Sequence, residues 1–251
     1  MKRLLGAMLA AALLSAPAVQ ARADDKEVAA VLDKAIAALG GEEKLAKAGT
    51  ATWKGKGTIT FGDNTNPIKT TTTVQGLDKH RAEFEGTFND NDVKGITVIA
   101  GDKGWRKFND DVMALDGDDL ASEKRRAYLQ AVPMTILPLK GKDFKVASAP
   151  EEKVGDKPAA VLKVTGPDGK DFTLFFDKES GLPVKLVATV RGFQGEDFTQ
   201  ETTFADYKDF GGVKKATKVD SKRDGMKFVS IESSDFKALD AVEPGTFDEP
   251  K

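Results

Sequence analysis

The spacing of apolar residues changes period along this chain. Over residues 24–39, Val28, Val31, Leu32, Ala35, Ile36 and Leu39 recur every three or four positions, which gathers them on one helical face. Asp24 with Glu27 three places on has the form of a capping box, and Gly40-Gly41 is a stop signal. The pattern therefore predicts an amphipathic helix over 24–39, followed by a short helical turn over 42–48 that ends at Gly49. Beyond Ala51 the period falls to two. Trp53, Gly55, Gly57, Ile59 and Phe61 alternate with Lys54, Lys56, Thr58 and Thr60, the mark of a strand with one covered and one wet face.

Further strands are predicted over 68–75, which holds the threonine run 70–73, and over 79–85, with a hairpin pairing 96–100 and 105–108. Residues 118–132 return to helical spacing between Gly117 and Pro133. Strands then resume over 160–165, 172–177, 184–191, 198–207, 213–220 and 226–233, separated by short glycine-bearing turns that imply an antiparallel meander. Two helices cannot cover both faces of a sheet of ~10 strands, so the sheet must curl around them. The expected architecture is mainly β (α+β): a strongly curved antiparallel sheet forming an incomplete barrel, with the two helices on its concave face.

Phe175 points opposite to Phe172, Leu174 and Phe176, and Val187 breaks the alternation of Val184, Leu186, Ala188 and Val190 in the same way. Two readings fit: a strand covered on both sides, as by a helix, or an apolar interior facing a hydrophobic guest. The tryptophans and the fifteen phenylalanines are correspondingly either core or cavity wall.

The segment ahead of the first helix has the pattern of an export signal. Lys2 and Arg3 precede an apolar stretch, Leu4 to Leu14, too short to span a bilayer, and Ala21-Arg22-Ala23 is a small-x-small cleavage site. Cleavage there removes residues 1–23 and leaves 228 of the 251, expected to form one domain over 24–251. No cysteine follows the site to carry a lipid, so the expectation is a freely diffusing protein, periplasmic in a diderm cell. Three of the 38 basic residues leave with the signal and no acid does, so 35 face 40 acidic ones. That mild negative excess argues against nucleic acid or an anionic membrane surface as partner.

The absence of cysteine excludes disulfides, thiolate metal sites and thiol nucleophiles. With His80 the sole histidine, no site with two histidines can form within one chain. Asp90, Asp92, Asp110 and Asp111 are the acids closest to a calcium cluster, but no EF-hand ladder is present, so no metal and no cofactor are expected. No Gly-x-Ser-x-Gly elbow accompanies His80, whose default role is a partly buried, hydrogen-bonded histidine. Glu83, Glu85, Glu196, Asp197 and Glu201 offer carboxylate pairs of the kind any wet strand face produces. Lys124-Arg125-Arg126 reads as a solvated basic face.

Four segments carry a resemblance: Ala38-Leu39-Gly40-Gly41-Glu42-Glu43-Lys44-Leu45, Trp53-Lys54-Gly55-Lys56-Gly57, Phe176-Asp177-Lys178-Glu179-Ser180-Gly181-Leu182-Pro183 and Tyr207-Lys208-Asp209-Phe210-Gly211-Gly212-Val213. With the export signal, they resemble the outer-membrane lipoprotein-sorting (LolA/LolB-like) superfamily. The resemblance implies an unclosed, bent barrel with helices as a lid and an apolar cavity for acyl chains. Soluble members ferry lipoproteins through the periplasm and anchored ones receive them, and lack of a lipid-bearing cysteine places this chain with the former. In the carriers an arginine on an early strand is tied to the lid, and Arg81 occupies the comparable place.

The expectation from all of this is a non-enzymatic carrier or binder of a lipid, acyl chain or lipoprotein, with a membrane protein as a further partner. Its expected cavity residues are Trp53, Phe61, Phe84, Trp105, Phe172, Leu174 and Phe176, with Arg81 toward the lid. An interaction or sensor module of the same fold is the alternative, and a hydrolase using strand carboxylates a remote one.

Overall fold

The computed structural model describes residues 18–192 and 194–251. Most of the expected signal segment, residues 1–17, lies outside them. Helix α1 runs Ala18–Leu39, so the backbone is already helical ahead of Asp24 and the expected capping box does not mark a helix start. Its apolar stripe is buried as the spacing requires: Leu32, Ala35, Ile36 and Leu39 are all in the core. Helix α2 is a short turn, Glu42–Lys47.

Thirteen strands follow in two runs. The first comprises β1 (Thr50–Phe61), β2 (Asn64–Gln75), β3 (Lys79–Phe88), β4 (Asn91–Ala100), β5 (Lys103–Phe108) and β6 (Asp111–Ala114). Helix α3 (Gly117–Thr135) and a 3-10 turn, Leu137–Lys140, then lead to β7 (Lys145–Val154), β8 (Lys157–Thr165), β9 (Asp171–Asp177), β10 (Pro183–Arg191), β11 (Asp197–Phe210), β12 (Val213–Arg223) and β13 (Met226–Ala238). Each run is an antiparallel meander, and antiparallel pairing of β1 with β13 joins them into one sheet with β6 and β7 as its free edges. The sheet is not closed, and the fold is the expected mainly β incomplete barrel with helices.

Two strands, β6 and β7, have no counterpart in the sequence expectation, and α3 ends later than expected. Strand β6 has only four residues, all exposed, and β7 holds Pro150 and an irregular register between Ala149 and Glu152. Both are edge strands, where proline and broken alternation are tolerated. Helix α3 passes through Pro133 and stops only at Ile136, whose φ of 61° is left-handed. A proline so near the C-terminus costs the helix a single intrahelical bond.

The large aromatics of the second run fill one part of the concave side. Phe172, Leu174 and Phe176 are fully buried, and Phe172 packs against Tyr128 of α3 and Phe144, ring centroids 6.0 and 6.3 Å away. Phe175, on the other face, is covered by Ala149 and Val154 of the β7–β8 hairpin together with Val184 and Val187, and the Lys185 ammonium lies 5.1 Å from its ring centroid. Strand β9 thus buries apolar side chains on both faces, the outer one among neighbours from strands of the same sheet rather than under a helix.

Three of the glycine-bearing segments converge on α1 and α2. A Cβ on Gly40, at φ 135°, would collide with the Gly212 carbonyl oxygen, and one on Gly212 would collide with the Lys44 ammonium. A Cβ on Gly181 would lie 2.8 Å from Lys34 Cγ, while Lys34 Nζ donates to the Lys178 carbonyl at 2.5 Å. Tyr207 Oη donates to the Pro183 carbonyl at 2.7 Å, tying the two hairpins to each other. Asp177 Oδ1 accepts from the Ser180 amide at 2.6 Å and from its hydroxyl at 2.8 Å. Those bonds hold the Asp177 carboxyl below the usual carboxylate range.

Candidate functional site

Helix α3 crosses the concave side and is fastened at both margins. Toward the second run, Arg125 Nε donates to the Thr189 carbonyl at 2.9 Å and Nη2 to the Asp171 carbonyl at 2.8 Å. Its Nη1 reaches Asp168 Oδ2 at 3.0 Å and Tyr128 Oη, and Tyr128 Oη donates to Asp168 Oδ1 at 2.8 Å. Burial pushes the Tyr128 phenol well above its ordinary range. Arg126 donates to the Arg191 carbonyl and to Glu123. Toward the first run, Arg106 on β5 donates to Glu123 Oε1 at 2.7 Å, and His80 on β3 places Nε2 2.8 Å from Gln130 Oε1. Burial lowers His80 below the ordinary imidazole value, against the opposing pull of the Gln130 bond and the Glu123 charge.

The expected solvated basic face on this helix is therefore corrected. Only Lys124 behaves that way, pairing with exposed Asp102 at 2.9 Å, while Arg125 is 4% exposed. A buried guanidinium is stable here because carbonyls and a carboxylate surround it.

Beneath α3 lies a cavity of about 410 Å³, within the range of roughly 300–1,000 Å³ usual for small-molecule sites. Thr97 on β4 and Val190 on β10 line it together. Those strands are seven steps apart in the sheet, about 34 Å if it were flat, so the cavity exists because the sheet bends. Its walls are mainly apolar, with Leu39, Trp53, Leu129, Leu186 and Phe204 among them.

The space comes from short side chains. Thr70 and Thr72, Ala82, Ala188, Ala216 and Ser221 face the cavity where larger residues would fill it. Gly55 lies between two wall residues, and a Cβ there would stand 2.6 Å from Thr70 Oγ1 and 2.7 Å from Ile231 Cγ2. Gly95 is crossed by the ring of its β3 partner Phe84, which would collide with any side chain at that position.

Trp53 and Phe84 line the cavity; the other five expected wall residues do not. Phe172, Leu174 and Phe176 are absorbed in the packed core described above. Phe61 is 44% exposed at the end of β1, edge-on to the wall residue Phe228 at 5.9 Å. Trp105 is partly exposed, and alternation turns it away from Gly104, whose added Cβ would lie 2.8 Å from Leu120 of α3. The expectation went to the bulkiest residues, which fill cores; the legible signal was the threonine run at 70–73.

Cations bound the cavity along β12. The Lys215 ammonium sits 4.0 Å from the Trp53 ring centroid and 5.2 Å from that of Phe236, and burial lowers its pKa to about 7. Eight residues further on, the Arg223 guanidinium lies 3.6 Å from the Phe228 centroid and donates from Nε to Gln200 Oε1 at 3.1 Å. Burial, then the nearby Arg126 charge, lowers Arg223 to about 10. Among the described residues no three histidine or acidic side chains gather in a way that would hold a metal ion.

No protein-family model matches the sequence, and no curated protein matches it either. Solved structures do. A DUF1329 family protein from Desulfovibrio piger superposes with a TM-score of 0.55 at 15% identity, covering 88% of this chain and 97% of its own. A LolA superfamily protein from Nitrosomonas europaea gives 0.54 at 12%, covering 82% and 96%. A putative outer membrane lipoprotein-sorting protein domain from Vibrio parahaemolyticus gives 0.53 at 14%, covering 82% and 93%.

The fold is that of the LolA/LolB-like superfamily.

Within this LolA-like frame, Arg81 does not take the place the resemblance assigned to it. Its Nε donates to Glu83 Oε1 at 2.5 Å and its Nη1 to the Thr246 carbonyl at 3.3 Å, so it holds the C-terminal segment rather than the lid. Alternation explains the difference, because His80, one residue earlier, points to the concave side and reaches α3.

Proposed function

We propose that this chain is an exported carrier or binder of a lipid, an acyl chain or a lipoprotein, acting outside the cytoplasm after loss of residues 1–23. The observation that carries the reading is the unfilled cavity of about 410 Å³ under α3, walled mainly by apolar side chains. Transfer of acyl methylenes from water into it supplies the driving force, about 0.8 kcal/mol each. Likeness in fold to the Vibrio lipoprotein-sorting domain supports the same cargo class, and the export pattern at 1–23 supports a periplasmic site of action. No helix among the described residues is long and apolar enough to cross a membrane. A non-enzymatic role is favoured by His80, which is 8% exposed and engaged with Gln130. Residues 24–251 act as one unit in this reading, since the main apolar cluster draws on both meanders.

Native mass spectrometry of gently purified protein tests it. The expected result is an adduct of lipid mass that is lost on delipidation, with uptake of a fluorescent fatty acid by the stripped protein. A clean apo mass together with no uptake refutes it.

A further inference from the structure

Of the lysines that line the cavity, Lys214 is exposed to water, whereas Lys215 is half-buried over two aromatic rings with no counter-ion among the described residues. Arg223 is held between Phe198 and Phe228 and donates to Gln200, and Arg126 donates to Glu123 and to the Arg191 carbonyl. Among the described residues, by contrast, no carboxylate or carbonyl accepts from Lys215 Nζ. The ammonium lies over two aromatic rings and lines the hollow. Cation–π contact offsets part of the cost of taking it out of water but does not replace a hydrogen-bonded counter-ion.

The local strand geometry produces this position. The β12–β13 register runs from Lys218 opposite Glu232 to Arg223 opposite Met226, so residues 213–217 have no β13 partner in it, while β13 continues along β1 as far as Ala238 opposite Ala51. The two strands part where Lys215 stands, and its side chain reaches Trp53 of β1. From there the cavity follows β12 past Ala216, Val219 and Ser221 to Arg223, about 26 Å at strand rise, a mostly apolar course with the half-buried Lys215 at one end and the Arg223 guanidinium, already held by its own partners, at the other.

We infer that the cavity seats a single-chain amphiphile with an anionic head, a long-chain carboxylate, whose head group pairs with Lys215 while its chain runs along β12. This rests on the carrier reading and narrows it: a neutral acylated group would leave Lys215 without a counter-charge, whereas a carboxylate supplies one. The binding energy then has a charge-assisted part at one end and a methylene part along the rest.

The test compares oleate with oleyl alcohol, which share a chain and differ in head charge. Binding to delipidated protein at pH 7 is followed by fluorescence, since Trp53 lies beneath the ammonium. Wild type is expected to bind oleate roughly tenfold more tightly than the alcohol, as a charge-assisted hydrogen bond implies. Lys215→Met should bring oleate to the level of the alcohol, and Lys215→Arg should keep the preference. Equal affinity of wild type for both probes, or a preference that survives Lys215→Met, overturns the inference and leaves the carrier reading standing. Failure of both probes to bind overturns the carrier reading and this inference with it. The wild-type comparison needs no variant, so it decides the matter even if Lys215→Met does not fold.

Discussion

His80 and Gln130 face each other across 2.8 Å, joining the third strand to the helix that roofs the cavity. Gln130 Oε1 accepts from His80 Nε2, and burial favours the neutral form of the ring. Burial depresses its pKa, which means the unfolded chain takes up the proton first as the solution is acidified. In the window below the ordinary value of 6.5 the unfolded state binds more protons, and stability falls with falling pH. Urea unfolding at pH 7 and pH 5 should show a lower midpoint at pH 5. The His80→Gln protein should lose most of that difference, because carboxylates titrate lower, around pH 4. Equal midpoints in the wild type would contradict the assignment.

Lys215 gives a dependence in the alkaline range. Its folded pKa, about 7, lies below the ordinary 10.5, so between those values the unfolded state holds the extra proton and stability rises with pH. The limiting slope for one group is about 1.4 kcal/mol per pH unit. Trp53 and Phe236 are the groups against its ammonium; Lys214 beside it on β12 and Lys44 above Gly212 are charges of the same sign, and burial alone causes the shift. Denaturation at pH 7, 8 and 9 should show the rise in wild type and lose it in Lys215→Met.

Phe84 rests over Gly95, and this pair sets the size of the cavity from its β4 side. Gly95→Ala would displace the ring, and the free space into which it can swing is the cavity. Removing room for one or two methylenes should weaken acyl-chain binding by about four- to fifteenfold. A fluorescent fatty-acid titration measures this, and an unchanged affinity would show that the ring moves elsewhere. Overpacking should cost about 1–3 kcal/mol of stability at most.

Gly40 and Gly41 are neighbours with positive φ but different surroundings. At Gly40 a methyl group meets the Gly212 carbonyl, whereas at Gly41 it meets nothing within 4 Å. Gly41 lies at φ 88° and ψ 157°, a region nearly reserved for glycine, so Gly41→Ala should cost backbone strain alone, about 1–3 kcal/mol. Gly40→Ala adds a backbone collision that α1 can relieve only by leaving the β11–β12 turn, and should cost about 3 kcal/mol or more. Chemical denaturation of the two variants ranks them, and equal losses would show that the docking of α1 on Gly212 is unimportant.

Arg125→Met should loosen the lid. It strips the Thr189 and Asp171 carbonyls and Asp168 of their buried donor, at a cost of about 3 kcal/mol or more. Limited proteolysis should then cut within or beside α3 before the sheet. Simultaneous loss of all fragments would indicate that lid and sheet unfold together.

Most of the sheet was readable because a half-buried strand writes its two faces into alternate residues, and the turns between strands carry glycine. Residues 111–114 and 145–154 escaped because edge strands bury too little to enforce alternation. The chemistry of α3 escaped for a different reason. Arg125 looks like any surface arginine in sequence, and only carbonyls from Thr189 and Asp171 make its burial tolerable.

The chain's local patterning was sufficient for the hairpin pairings within each meander, the helix faces and the family-like turns, since each depends on neighbours within a few residues, but not for the long-range pairing of β1 with β13 that joins the two runs. It was not sufficient for the cavity. Whether a concave residue plugs the hollow or walls it depends on the distance to what lies opposite, and that distance is set by the bend of the whole sheet and the seat of α3. Phe172 and Phe84 have the same side chain and both point inward; one meets Tyr128 and Phe144 and becomes core, the other meets open space and becomes wall.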